Sequence, residues 1–230
     1  MYPLKTIYFK KEVIGWQYEV PGALVFFSNK KAQPEMLSEI FSIPSIYFLK
    51  QVHGPQVVEA VPLFAPQEAD GHWTKEILFP LGIHTADCIP LLLYHPPTRY
   101  VAALHAGWKG VETRILNAAL QQMKTHGLST KEVMCFSGPH ISKKSFEVGA
   151  DVAQRLSFAS PGGQQFVLPH SDPNKKYVDL LSIVKDQFVE DGGDLKSFFS
   201  LEKDTFSDPD FFSFRREGGT GRLISFISLN

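Results

Sequence analysis

Apolar residues gather in short runs through the middle of the chain, each bounded by Pro, Gly or Asp. The runs Phe79 to His84, Ile89 to Tyr94, Tyr100 to His105 and Val133 to Phe136 predict strands. The period then changes. From Gly110 to His126, the residues Val111, Ile115, Leu116, Ala119, Leu120 and Met123 share one face at helical spacing, and Gly127 stops the pattern. A second helix is predicted over Val178 to Val189, with Leu180, Leu181, Val184 and Phe188 inward. The tail returns to strand at Phe211 to Phe214 and again at Leu223 to Leu229. Strands interspersed with two helices predict a mixed α/β (α+β) fold, with helices on the outer faces of the sheets. Periodicity does not decide between one sheet and two. With no repeat, low-complexity tract or long linker, residues 1–230 read as a single domain.

Composition narrows the class. The 230 residues have room for one sizeable core, and 43% hydrophobic with 20% charged content describes a soluble globular protein. A net charge of −1 without a Lys/Arg block excludes the electrostatic footprint of a nucleic-acid binder. No window reaches the roughly 20 apolar residues of a membrane span. The start, Met1-Tyr2-Pro3-Leu4-Lys5, lacks the pattern of a signal peptide, so the expected location is the cytoplasm. Only Cys88 and Cys135 are present, which argues against a disulfide framework and leaves Cys88 available as thiolate or ligand.

The candidate chemistry lies in three segments: Gln51-Val52-His53-Gly54, Thr85-Ala86-Asp87-Cys88 and His105-Ala106-Gly107-Trp108. Two imidazoles and a thiolate leave one corner of a tetrahedron open, as a catalytic zinc requires. Taken alone, Cys88 reads equally well as a buried small hydrophobe. The neighbouring Asp87 needs a hydrogen-bond partner or a cation, because an unpaired buried carboxylate is costly. His105 ends one strand and opens a Gly-rich turn before a helix. Consecutive strands are often neighbours, which lets Cys88 and His105 meet at one sheet end. The turn and the helix start, with Lys109, also suit an anion. His53 alone fits a turn. His84 and His140 are possible site neighbours, His126 a solvated helix cap, His95 a loop residue and Cys135 a core residue.

The segments Gln51-Val52-His53-Gly54, Ala69-Asp70-Gly71, Thr85-Ala86-Asp87-Cys88 with Pro90, and His105 to Gly110 run in order with Gly138-Pro139-x-Ile141, Phe146 to Gly149, Phe211 to Arg216 and Gly221-Arg222. From Ile46 to the C-terminus this set resembles the YfiH-like family, long labelled polyphenol oxidase or laccase-domain protein. The resemblance implies a layered α/β/β/α sandwich with mixed sheets and a metal held by His53, Cys88 and His105. Their ligand atoms are then expected within about 4 Å of one another. It also implies zinc-dependent purine nucleoside phosphorylase activity on adenosine, inosine, guanosine and methylthioadenosine, with adenosine deamination at the same centre. Phosphate would attack the anomeric carbon as the purine leaves, and hydroxide would attack C6 of adenine. Asp87, Cys88, His105 and His140 are the catalytic candidates, with Lys109 and Arg216 for substrate or phosphate.

Zn2+ fits better than copper, because eight scattered histidines with no His-x-His pair cannot supply a multicopper oxidase. The expected partners are a purine nucleoside and phosphate, with no nucleic acid or membrane, and the chain is expected as a monomer or weak dimer. Two rivals remain: a Cys/His or zinc amidase acting on peptidoglycan precursors, and a non-catalytic nucleoside-binding protein. The chain departs from the family pattern in two places. Residues 26–31 and the segment Ala32 to Phe41 replace a longer family loop that lines the active site, and Asp204 stands where the family has a cysteine.

Overall fold

The computed structural model describes residues 2–61 and 66–230; Met1 and residues 62–65 of the expected domain lie outside them. In chain order, β1 (Leu4–Phe9), β2 (Glu12–Val20) and β3 (Ala23–Ser28) precede α1 (Pro34–Phe41), β4 (Tyr47–Phe48), β5 (Val57–Glu59) and β6 (Gly71–Thr74). Then follow β7 (Leu81–Thr85), β8 (Ile89–His95), β9 (Tyr100–Ala106), α2 (Trp108–Glu112), α3 (Ile115–Thr125) and β10 (Met134–Ser137). The remainder comprises β11 (Glu147–Gly149), α4 (Ala150–Ser157), β12 (Val167–Leu168), β13 (Lys175–Val178), α5 (Leu180–Glu190), β14 (Phe198–Ser200), α6 (Phe214–Glu217) and β15 (Leu223–Leu229).

Two six-stranded sheets, ordered β1-β2-β3-β15-β7-β4 and β14-β10-β8-β9-β6-β5, stack face to face. Both are mixed: β4–β7, β5–β6 and β10–β14 are parallel, whereas β8–β9 and β3–β15 are antiparallel. Side-chain alternation along single strands builds the layers. In β3, Val25 and Phe27 enter the core between the sheets, while Leu24 and Phe26 face outward to Leu37 of α1. In β8, Leu92 and Tyr94 point between the sheets, and Ile89, Leu91 and Leu93 pack with residues of α2, α3, α4 and α5. The result is the four-layer α/β/β/α sandwich. No helix among the described residues is long and apolar enough to cross a membrane.

The central strands fall where the apolar runs place them, within one or two residues. An antiparallel meander over Leu4–Ser28 has no counterpart in the expected elements. The helix expected over Gly110 to His126 is two helices, broken at Arg114, whose φ is +64°. Buried Gln187 of α5 donates to the Val111 carbonyl at 2.9 Å, and the Arg114 guanidinium pairs with Glu190, so packing against α5 sets the break. All six residues of the expected apolar face are nonetheless buried. The second helix begins at Leu180, where the Asp179 carboxylate accepts the Ser182 N–H at 3.1 Å. Phe211 to Phe214 is not a strand. Ser213 caps the short α6, and Phe211 is buried beside Trp16, so the aromatic run marks burial rather than pairing. His95 ends β8 instead of lying in a loop, because it pairs with Tyr100 across the β8–β9 hairpin.

Candidate metal centre

β7 and β8 are consecutive in sequence but belong to different sheets, so Ala86-Asp87-Cys88 is the link that steps from one sheet to the other. This puts half-buried Cys88 just before β8, beside the C-terminal end of β9, where Ile89 pairs with Ala106 and Pro90 with His105. The ligand atoms of His53, Cys88 and His105 all lie within 4.8 Å of one another. That is wider than the expected 4 Å, and His53, the member furthest toward solvent, is exposed.

Asp70 organises the trio. Its carboxylate is fully buried, and Oδ1 lies 2.7 Å from His105 Nδ1. Oδ2 accepts the N–H groups of Val52 at 3.0 Å and Gly54 at 2.7 Å. The Val52 and Gly54 amides flank His53, whose φ of +61° is a left-handed conformation uncommon outside glycine, and the bonds to Asp70 hold the loop in it. Gln51 fixes the same loop from its other end, donating to the His84 carbonyl at 2.8 Å and accepting the His84 N–H at 2.9 Å. Gly107 provides room, since a Cβ there would lie 3.0 Å from Cys88 Sγ and 3.4 Å from His53 Nδ1.

The electrostatics follow from these contacts. Burial alone would raise the Asp70 carboxyl, but the His105 bond and the Gly54 and Val52 amides hold it below the usual range. Burial would lower His105, yet its bonds to Asp70 and Cys88 lift it to about 9. Burial would raise the Cys88 thiol, but the two imidazoles bring it down to about 7. The donor set therefore fits a metal. It offers a thiol predisposed to ionise and an imidazole whose Nδ1 is engaged by a carboxylate, leaving Nε2 for the ion.

The trio lines a cavity of about 560 Å3, with His84, Gln51 and Asp87 beside it, apolar walls from Leu49, Trp108, Ile141, Phe146, Leu180 and Phe214, and Arg215 and Arg222 among the lining side chains. That size is in the range of small-molecule sites, about 300–1,000 Å3. Asp87 has a left-handed φ of +83°, and its carboxylate joins two distant segments. Oδ1 accepts from buried Thr205 Oγ1 at 2.6 Å, and Oδ2 accepts the Arg215 backbone N–H at 2.7 Å.

The family described as multi-copper polyphenol oxidoreductase laccase matches residues 29–230. This chain belongs to that family. It is 35% identical over 188 residues to a Deinococcus radiodurans protein named purine nucleoside phosphorylase, an alignment spanning 79% of this chain and 69% of that one. It is also 28% identical over 184 residues to the Escherichia coli purine nucleoside phosphorylase YfiH, across 79% and 73% of the two chains. Among solved structures, the Bacillus licheniformis hypothetical protein YfiH has a TM-score of 0.88 at 19% identity, covering 94% of this chain and 97% of that one. YlmD from Geobacillus stearothermophilus gives 0.88 at 21% identity over 98% and 100%. Both share the fold.

In this laccase-family chain Asp87 and His84 line the cavity, whereas the nominated His140, Lys109 and Arg216 do not. His140 is buried outside it. Its Nδ1 donates to the Gly138 carbonyl at 2.8 Å, and burial lowers its pKa. Lys109 is exposed and lies 5.7 Å from the Trp108 ring centroid. The Arg216 guanidinium donates to the carbonyls of Thr205, Phe206 and Phe211 at 2.6–2.8 Å and pairs with Glu217, so it ties down the 205–211 segment. The residue beside it, Arg215, reaches the cavity instead. Asp204 is likewise structural, accepting from the Ser142 N–H and hydroxyl, Ser145, Phe206 N–H and Ser207 at 2.7–3.1 Å. No residue of 26–41 lines the cavity. Sequence reasoning gave no role to Asp70, Gln51, Thr205, Arg215 or Arg222. Asp70, Gln51, Arg215 and Arg222 did stand in the motif segments, but Thr205 carries no local signal.

Proposed function

We propose that the chain catalyses phosphorolysis of purine nucleosides at a metal held by His53, Cys88 and His105, with Zn2+ as the ion. One observation carries the reading: a three-ligand His/Cys/His set opens onto a small-molecule cavity with a largely apolar wall. The names of relatives at about 30% identity support it. Two imidazoles and one thiolate leave a divalent ion net positive, and bound there it would supply Lewis acidity and attract an anion. Among the described residues this is the one cluster of three or more such ligands, too few for a multi-copper centre.

In the reaction, an oxygen of phosphate forms a bond to the anomeric carbon of the ribose. The carbon–nitrogen bond to the purine breaks, and its electron pair leaves with the base, which takes up a proton. The apolar side chains Leu49, Ile141, Phe146, Leu180 and Phe214 form a wall suited to a planar base and exclude water from it. Asp70 orients both imidazoles. Asp87 accepts from Thr205 and from the Arg215 backbone and so holds the 205 and 215 segments at the cavity. Adenosine deamination in the same cavity is a side activity, in which water replaces the amino group at C6 and ammonia leaves.

A second reading rests on the order Cys88, His105, Asp70, with His105 paired to Asp70 at 2.7 Å and the Cys88 sulfur within 4.8 Å of the imidazole, which resembles the nucleophile, base and orienting carboxylate of a thiol hydrolase. An amide of a peptidoglycan precursor would be its substrate. Free purine released from adenosine only when phosphate is present supports the first reading. Amide cleavage that survives a chelator supports the second.

A further inference from the structure

The cavity carries an excess of positive charge. Among the described residues Asp87 is the one carboxylate lining it, and both its oxygens are engaged by Thr205 and by the Arg215 backbone. Arg215 and Arg222 also line it, yet neither guanidinium meets a carboxylate among the described residues. Arg215 donates to the Glu147 carbonyl at 2.7 Å and lies 5.7 Å from the Phe146 ring centroid. Arg222 donates to the carbonyls of Thr220 at 2.7 Å and Gly221 at 3.0 Å. Both belong to exposed positions, so they stand at the rim with donors still open to a ligand entering from solvent. Arg222 lines the same cavity as His84, and after burial its charge is the second influence holding His84 below its usual range. Arg216, by contrast, is committed to backbone carbonyls and Glu217, and Lys109 lies outside.

A guanidinium is suited to a phosphoryl group because its planar fork donates two parallel hydrogen bonds to one anion. We propose that Arg215 and Arg222 form the oxyanion-binding arm of the cavity and take a phosphate dianion, either free or carried on the substrate. Asp87 is the positioning residue for this arm, since it anchors the Arg215 backbone through Oδ2. The choice of phosphate rests on the phosphorolytic reading, but binding of the anion can be measured without turnover.

Isothermal titration of the protein as purified, with inorganic phosphate, adenosine 5′-monophosphate and adenosine, tests the arm. Arg215→Gln and Arg222→Gln are each expected to weaken phosphate or the monophosphate at least about tenfold, the loss of a charged hydrogen bond. Adenosine binding should be unmoved. Dependence seen with inorganic phosphate identifies the free anion, and dependence confined to the monophosphate identifies a phosphorylated substrate. Wild-type affinity in either variant overturns the proposal, as does a wild-type protein that binds neither anion. If arginine-dependent binding is found but no nucleoside is cleaved, the arm stands and the phosphorolytic reading falls.

Discussion

Asp70 Oδ1 lies 2.7 Å from His105 Nδ1, while the same carboxylate's Oδ2 holds the loop that carries His53. One buried side chain therefore sets the orientation of both imidazoles. Asp70→Asn keeps the volume but removes the charge and replaces one acceptor with a donor. It is expected to weaken metal binding about 10- to 100-fold, as losses of such supporting partners do. Competition with a chromogenic chelator measures this, and wild-type affinity in the variant would show that Asp70 does not support the metal ligands.

Gly107 separates the metal site from the fold. Its φ of −70° is open to any residue, so Gly107→Ala introduces no backbone strain. The added methyl nevertheless meets Cys88 Sγ at 3.0 Å. The variant should lose most of its bound metal by elemental analysis while its thermal midpoint falls by only a few degrees, a cost of about 1 kcal/mol or less. Full metal content would show that the space around Cys88 is not needed.

The central strands and both apolar helix faces were legible because each is a run of apolar residues at a fixed period. Stacking of two sheets was not, since β3, β8, β9 and β15 are buried along their whole length and show no polar face to assign. The metal trio was marked in the sequence by its segments. The cavity cations were displaced by one residue: of adjacent Arg215 and Arg216, sequence cannot say which turns inward. That depends on the α6 cap at Ser213 and on the bond from Arg215 N–H to Asp87, which is 128 residues away. Thr205 was invisible for the same reason.

Thiol chemistry distinguishes the two cysteines. Cys88 is half-buried at the cavity, whereas Cys135 is fully buried in β10, where burial pushes its thiol far above the usual range. Iodoacetamide should label Cys88 alone in the folded, chelator-treated protein, and added zinc should block it. Mass spectrometry of peptides reads both sites. Labelling of Cys88 at the same rate with and without zinc would argue against its role as a ligand.

Acid sensitivity follows from His72, a fully buried imidazole on β6. Burial pushes it down to about 3, opposed only by a weak contact with the Gly82 backbone. Between its unfolded value of about 6.5 and that value, the unfolded chain takes up a proton that the folded chain refuses. Its contribution is therefore complete above about pH 6.5 and is lost as pH falls, by up to about 1.4 kcal/mol per unit. His72→Leu should reduce the drop in urea midpoint between about pH 7 and about pH 5. His84, His95 and His140, also depressed by burial, retain part of the slope. An identical drop in wild type and variant would contradict this origin.

Phosphorolysis at this centre is decided by chromatography of products from adenosine, inosine and methylthioadenosine, with and without phosphate, using zinc-loaded protein and His105→Ala. Free purine together with the 1-phosphate of the sugar is expected, formed only when phosphate is present and absent in His105→Ala. Intact nucleosides under every condition, or purine release that ignores phosphate, would contradict it.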